Sequence, residues 1–162
     1  MSNTGAALWI TATHEAVYGS GGWAYARRVG GQVTGAAGGE RRTTARRMAL
    51  TVLAEALKDL SRASPGPAPS ELTLHAALPQ FIDILAILEG KAPPPEEDLD
   101  LWAPVLAAKG QTPLVLVRSE AGPISPIAFL NAWAEFTRQK ARAKGQFRAV
   151  LPKPNLAGVT WI

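Results

Sequence analysis

Apolar and polar positions along this chain of 162 residues follow two different periods. We predict strands where β-branched and aromatic residues cluster or alternate with polar ones, and helices where apolar residues recur three and four positions apart. The predicted strands are 6–13, 23–29, 32–38, 71–78 and 112–119. The predicted helices are 43–62, 79–90, 99–110 and 125–145.

The residues between these segments are typical of turns and of helix ends, as the predicted elements require. Glycine-rich turns separate the first three strands, at 19–22 and 30–31. A Pro/Gly segment at 63–70 ends the first helix, whose start carries threonines that can cap it. The acidic, proline-rich loop 91–98 separates the second helix from the third.

The order β-β-β-α-β-α-α-β-α predicts an α/β fold with helices on both faces of a mixed sheet. We expect five strands, a three-strand antiparallel meander followed by parallel strands. The length predicts a single domain over 1–162, with a core of about 6–145 and an irregular C-terminal tail at 146–162. The aromatic residues within predicted elements are expected in the core: Trp9, Trp23, Tyr25, Trp102, Phe129, Trp133 and Phe136. Trp161 in the tail would either dock onto the domain or mark an interface.

Composition narrows the class of protein. Apolar residues make up 47% of the chain, enough for a core, and the absence of cysteine excludes disulfides and thiolate metal sites. No run approaches the roughly 20 apolar residues of a membrane helix, and no leader pattern opens the chain. We therefore expect a cytoplasmic protein without a membrane partner.

The net charge of +4 is unevenly distributed. Arginines concentrate between 27 and 47, a second basic group lies between 138 and 153, and acids collect at 96–100. Such clustering indicates either a surface for a polyanion or an ordinary solvated surface.

Five strings, in this order, resemble the ribonuclease H family over residues 6 to 145. The strings are GSGGWAYARR, RTTARRMAL, LTLHAAL, DLDLWAPVLAA and NAWAEF. The resemblance implies the ribonuclease H fold. It also implies cleavage of the RNA strand of RNA–DNA hybrids by two divalent metal ions held by four acids.

Most of those acids are missing from this chain. The first-strand acid falls at Ala12, or at Thr13 if the match shifts by one residue. The helix acid falls at Ala49 and the fourth-strand acid at Ala77. Only Glu135, on the last helix, remains, where it could pair with Arg138 three residues on. The resemblance thus implies a site with no catalytic residues and no bound metal.

Other polar residues near these positions have two interpretations. His14, Glu15, His75, Asp83 and Glu135 could be relocated ligands for Mg²⁺ or Mn²⁺. Alternatively, His14 and Glu15 form a solvated turn, His75 is a satisfied strand residue and Asp83 is an exposed polar residue. Glu120 stands where the family often has a histidine before the last helix.

The segment RRTTARR is the strongest candidate for binding nucleic acid. In the family, polar residues at this helix start contact the hybrid. Here the two asparagines that follow the threonines are replaced by Ala45 and Arg46, which exchanges hydrogen-bonding amides for phosphate attraction. We predict a basic face comprising Arg27, Arg28, Arg41, Arg42, Thr43, Thr44, Arg46 and Arg47.

Three functions follow from the sequence. The first is a catalytically inactive ribonuclease H homologue without cofactor that binds a hybrid or a duplex weakly through the basic face. The second is a protein-interaction or scaffolding module with a vestigial cleft. The third is an RNA–DNA hybrid ribonuclease that uses Mg²⁺ or Mn²⁺ on relocated ligands.

Overall fold

The computed structural model describes residues 6–63, 71–77, 79–119, 122 and 125–161. Leu78, Glu120 and all but the first residue of the predicted linker 63–70 lie outside the described residues. The strands are β1 (Ala7–Glu15), β2 (Ser20–Val29), β3 (Gln32–Glu40), β4 (Leu72–Ala76), β5 (Leu114–Arg118) and β6 (Phe147–Val150). The helices are α1 (Ala45–Ala63), α2 (Gln80–Leu88), α3 (Leu99–Lys109), α4 (Pro126–Lys144) and α5 (Lys153–Ala157).

The strands form one mixed sheet in the order β5-β4-β1-β2-β3-β6. β1, β2 and β3 are an antiparallel meander, whereas β4 runs parallel to β1 and β5 parallel to β4. The described sheet has six strands rather than the five predicted, because residues 147–150 pair antiparallel with Ala36–Gly39 of β3. The predicted α/β class and element order are otherwise confirmed.

Alternation along β1 divides the apolar residues into two cores. Leu8, Ile10 and Ala12 belong to the core that α1, α2 and α3 cover, which we call the α1-side core. Ala7 and Trp9 belong to the core under α4, which we call the α4-side core.

Two glycines allow α4 to lie directly on the meander. A Cβ atom at Gly22 would stand 2.0 Å from the backbone oxygen of Ala134. A Cβ atom at Gly39 would stand 2.4 Å from the backbone oxygen of Thr137. Only glycine fits at these contacts. The backbone of α4 can therefore lie directly against β2 and β3.

The C-terminal segment is not the irregular tail that the sequence predicts. It forms β6 and α5 and then places Trp161 in the α4-side core. The Trp161 ring meets Trp9 and Phe129 edge-on, at centroid distances of 5.3 and 5.7 Å. Its Nε1 atom donates to the backbone oxygen of Leu156 at 2.9 Å. Of the two interpretations of Trp161, the structure supports docking onto the domain.

Within the described part of the chain, none of the helices combines the length and apolar character needed to cross a membrane.

Candidate functional site

The four positions where the resemblance places acids lie on one strand, on two helices and at the residue that follows β4. Ala12 on β1 and Ala49 on α1 both lie in the α1-side core, and Ala49 is fully buried. Ala77 directly follows β4 and packs partly buried against the α4-side core. Glu135 lies on α4 and is half-buried. Three of the four positions therefore contribute methyl groups to packing and no ligand.

Glu135 is paired with a cationic side chain of its own helix. The Arg138 Nε atom donates to the two carboxylate oxygens of Glu135 at 3.0 and 3.1 Å. Arg138 Nη1 donates to Ser20 Oγ at 3.2 Å, which fixes the guanidinium against the start of β2. The Thr13 hydroxyl donates to Glu135 Oε1 at 3.3 Å. Chiefly through the hydrogen bond from Arg138, this network lowers the pKa of Glu135 below its ordinary value.

These residues do not fit a pair of divalent cations. Mg²⁺ requires oxygen ligands, usually carboxylates that offset its charge. The single carboxylate at the expected positions already has a guanidinium on both of its oxygens. Within 6–63, 71–77, 79–119, 122 and 125–161, no three His, Asp or Glu side chains are grouped as a metal site would need.

The proposed relocated ligands each have another environment in the described structure. His14 Nε2 lies 2.9 Å from the Thr43 backbone oxygen. Glu15 accepts a hydrogen bond from the backbone N–H of Val17 at 2.5 Å. Asp83 is exposed on α2.

His75 is engaged with an indole ring instead of a ligand cluster. It stacks on Trp9 at 4.6 Å between ring centroids, with an angle of 8° between the ring planes. Its Nδ1 atom lies 3.3 Å from Ser119 Oγ. Burial, and then the Arg28 guanidinium, lower the pKa of His75.

The eight residues of the predicted basic face do not lie together. Arg27 and Arg28 are near the end of β2, opposite Leu8 and Ala7. The start of α1 is instead near the beginning of β2, where the Thr43 N–H donates to the Gly19 backbone oxygen at 2.9 Å. The two ends of β2, Ser20 and Val29, are about 30 Å apart.

Arg27 and Arg28 are also committed to contacts within the fold. The Arg27 guanidinium is mostly buried and pairs with Asp59 at 3.4 Å. Arg28 lies 5.2 Å above the Trp9 ring and donates to the backbone oxygen of Trp161. These two arginines therefore hold α1 and the C-terminal segment to the sheet.

Three of the predicted contact residues at the start of α1 also have structural roles. The Thr44 hydroxyl accepts from the Arg47 N–H at 3.1 Å and caps the helix. Thr43 Oγ1 is buried with no hydrogen-bond partner among the described residues, so it does not face solvent. The Arg47 guanidinium binds Asp98 at 3.0 Å and Asp100 at 2.8 Å, which fastens α1 to the start of α3.

One of the remaining arginines meets the end of α4. Arg41 donates to the backbone oxygens of Arg142 and Ala143 at 3.4 and 3.2 Å. The early and late basic groups of the sequence thus become neighbours. Arg42 and Arg46 form no ion pair within the described part of the chain. We call this set the α1–α4 basic surface: Arg41, Arg42, Arg46, Arg142 and Lys144.

Tyr18 adjoins the α1–α4 basic surface, although the sequence pattern did not predict that it would. Tyr18, in the loop before β2, is about half exposed, and its ring lies 3.3 Å below the Arg142 guanidinium carbon. The two residues are more than 120 positions apart, and no local pattern links them. The only available signal was an aromatic residue in a polar turn.

Sequence comparison identifies no relative. No family model matches the chain, and no curated protein matches it.

Solved structures, in contrast, match over most of the chain. LC9-RNase H1, a type 1 RNase H with the type 2 active-site motif, matches with a TM-score of 0.70 and 14% identity, over 97% of this chain and 81% of that one. LC11-RNase H1, solved in complex with an RNA/DNA hybrid, matches with a TM-score of 0.66 and 17% identity, over 84% of this chain and 98% of that one. The N-terminal RNase H domain of a Mycobacterium tuberculosis protein matches with a TM-score of 0.67 and 12% identity, over 87% of this chain and 98% of that one. At these identities the comparisons show the fold, which is that of ribonuclease H, and the function has to be argued from the site.

Proposed function

We propose that this chain, which has the ribonuclease H fold, binds nucleic acid without carrying out the two-metal hydrolysis of that family. One observation carries the proposal. Glu135 is the single carboxylate at the four expected positions, and Arg138 occupies both of its oxygens. A guanidinium balances the charge of that carboxylate but cannot activate water as a metal ion does.

Binding is supported by the placement of charge at the sheet end that carries α1 and the end of α4. The α1–α4 basic surface combines cations from two distant parts of the sequence, and the N-terminus of α1 adds its dipole. Such a surface attracts phosphates without reading bases, because phosphate contacts are independent of sequence.

An acidic boundary defines which side of α1 the phosphates would follow. Asp98 and Asp100 pair with Arg47 on the side of α1 that faces α3. Glu96 and Glu97 are exposed in the adjoining loop. We therefore expect a bound strand to cross the end of the sheet between the start of α1 and the end of α4, and to avoid the side of α1 that faces α3.

The test is the salt dependence of binding to a labelled RNA–DNA hybrid and to duplex DNA. Each phosphate contact contributes about −0.9 to the slope of log K against log salt concentration for duplex DNA. Replacing Arg42 and Arg46 with glutamine should weaken binding to both ligands and reduce the slope by about 2. The matched control, Lys58→Gln with Lys109→Gln, removes the same charge elsewhere and should change the slope little. Equal effects of the two double variants would refute this binding surface.

A protein-interaction function is the second candidate, and one observation favours it. β5 is an edge strand of the described sheet, and it leaves Val115 and Val117 about 40% and 39% exposed. Unpaired apolar edge strands are templates for β-pairing with another chain. Light scattering of the wild type beside Val117→Lys tests this candidate, since only a self-associating edge would lose mass in the variant.

A further inference from the structure

The outward surface of α4 carries aromatic residues that the sequence pattern places in the core. Phe136 is 48% exposed, and Trp133 is only partly buried. The two rings meet at 87° with centroids 5.8 Å apart. With Ala132 and with Asn155 of α5 they line a shallow depression of about 270 Å³. We call these four residues the α4 aromatic patch.

A cation lies directly beside one aromatic ring of this helix. Lys140 Nζ is 5.7 Å from the Phe136 ring centroid. Arg142, two residues further along, lies on another side of the helix and covers the ring of Tyr18 in the loop before β2. The acid nearest in sequence, Glu135, already pairs with Arg138. The patch therefore combines exposed rings with a lysine that forms no ion pair among the residues that the structure describes.

We propose that the α4 aromatic patch, together with Lys140, binds single-stranded nucleic acid. Exposed rings accept unpaired bases by stacking, and adjacent cations bind the intervening phosphates. Asn155 supplies an amide at the edge of the depression that can bond to a base. In a duplex the bases are already stacked on one another, so their faces are not available to these rings.

Charge complementarity decides for nucleic acid over a protein partner. A protein-binding patch is usually depleted of charge at its centre, with lysine rarer than on the remaining surface. Here Lys140 contacts the central ring itself. This site shares no residue with the α1–α4 basic surface, so either binding function can fail while the other holds.

The direct experiment is fluorescence anisotropy of a labelled oligothymidylate of about 15 nucleotides, a length within the range that one small domain covers. The wild type should bind it in low salt. Phe136→Ala should weaken binding by about 5- to 100-fold, the range expected for the loss of one stacked base. Phe136→Tyr should restore affinity because tyrosine also stacks. Leu106→Ala, at an equally exposed apolar residue of α3, is the matched control and should leave affinity unchanged.

A second measurement separates stacking from charge. The fluorescence of Trp133 should be quenched when a base stacks beside its ring. Trp133→Phe should remove that part of the quenching and keep most of the affinity for oligothymidylate. No binding of oligothymidylate by the wild type overturns the proposal, as does equal affinity in wild type and Phe136→Ala. Binding of a protein ligand that Phe136→Ala abolishes, without any binding of oligothymidylate, would also overturn it. Hybrid and duplex binding, lowered by Arg42→Gln with Arg46→Gln, reports on the proposed function independently.

Discussion

Arg138 Nε lies 3.0 Å from one carboxylate oxygen of Glu135 and 3.1 Å from the other. The two residues are separated by one turn of α4, so the same helix supplies both the acid and its counter-charge. The cation at this site is therefore covalently part of the chain. It is present regardless of the metal content of the solution.

Removing this guanidinium should destabilise the fold moderately. Arg138 is largely buried, whereas the Glu135 side chain is 44% exposed and partly screened by water. We expect Arg138→Met to lower the free energy of unfolding by about 1–2 kcal/mol, since Glu135 and Ser20 both lose a donor. Urea denaturation of this variant, of Glu135→Gln and of the double variant measures the coupling. Strictly additive effects would show that the pair contributes nothing.

Replacing Ala49 with glutamate, the acid that the resemblance implies on α1, should destabilise the fold. Ala49 is completely buried in the α1-side core. Ala49→Glu should lower the free energy of unfolding by about 2–5 kcal/mol, because a carboxyl group would enter an apolar environment. Ser61→Glu, at an exposed position of the same helix, is the control and should change stability by less than about 0.5 kcal/mol. If Ala49→Glu is as stable as the control, the packing described for α1 is wrong.

The contact between β2 and α4 predicts a sharp difference between two glycines. A methyl group at Gly22 would overlap the Ala134 backbone oxygen, which cannot rotate away. We expect Gly22→Ala to lower the free energy of unfolding by about 3 kcal/mol or more, because α4 must move away from the sheet. A Cβ atom at Gly31, in the β2–β3 turn, would meet nothing within 4 Å. Gly31→Ala should therefore stay within about 1 kcal/mol of the wild type. Thermal unfolding of both variants checks the prediction, and similar melting temperatures would contradict it.

His75 should make stability depend on pH. Its pKa lies below the ordinary value of 6.5 because the ring is half-buried beside the Arg28 guanidinium. The unfolded chain thus binds a proton more readily than the folded chain at this residue. Its contribution is complete above about pH 6.5 and is lost as the pH falls toward the folded pKa. His75→Phe keeps a ring on Trp9 but cannot be protonated, so its melting temperature should fall less between pH 7.5 and 5. Parallel curves for the two proteins would argue against this role of His75.

The local pattern predicts the elements well because each one carries its own period and its own end signals. α1 begins at Ala45 after the Thr44 cap, within two residues of the predicted start. The pairing of Arg138 with Glu135 was also within reach of the sequence, since residues three apart on a helix are neighbours. Strand β6 could not be predicted in this way. Its four residues, FRAV, are too short a pattern to indicate a strand alone, and they form one by pairing with β3.

The basic face shows where sequence reasoning stops. Arg27, Arg28 and Arg47 look alike in a sequence, but tertiary contacts give each a different partner: Asp59, Trp9 and Asp100. Those partners lie 32, 19 and 53 residues away, so no local pattern could reveal that these charges are used within the fold. Phe136 was predicted in the core because it is an apolar residue of an amphipathic helix, but it lies on the outward face of α4, whereas Ala134 and Thr137 face the sheet.

Binding of nucleic acid without two-metal hydrolysis is tested most directly by a cleavage assay with a labelled RNA–DNA hybrid. The assay compares the wild type with Glu135→Ala, with and without Mg²⁺ or Mn²⁺. We predict salt-sensitive binding and no metal-dependent cleavage by either protein. Cleavage by the wild type that requires the metal and disappears in Glu135→Ala would show that Glu135 still serves a metal ion. That result would contradict the assignment of Arg138 as its permanent counter-charge.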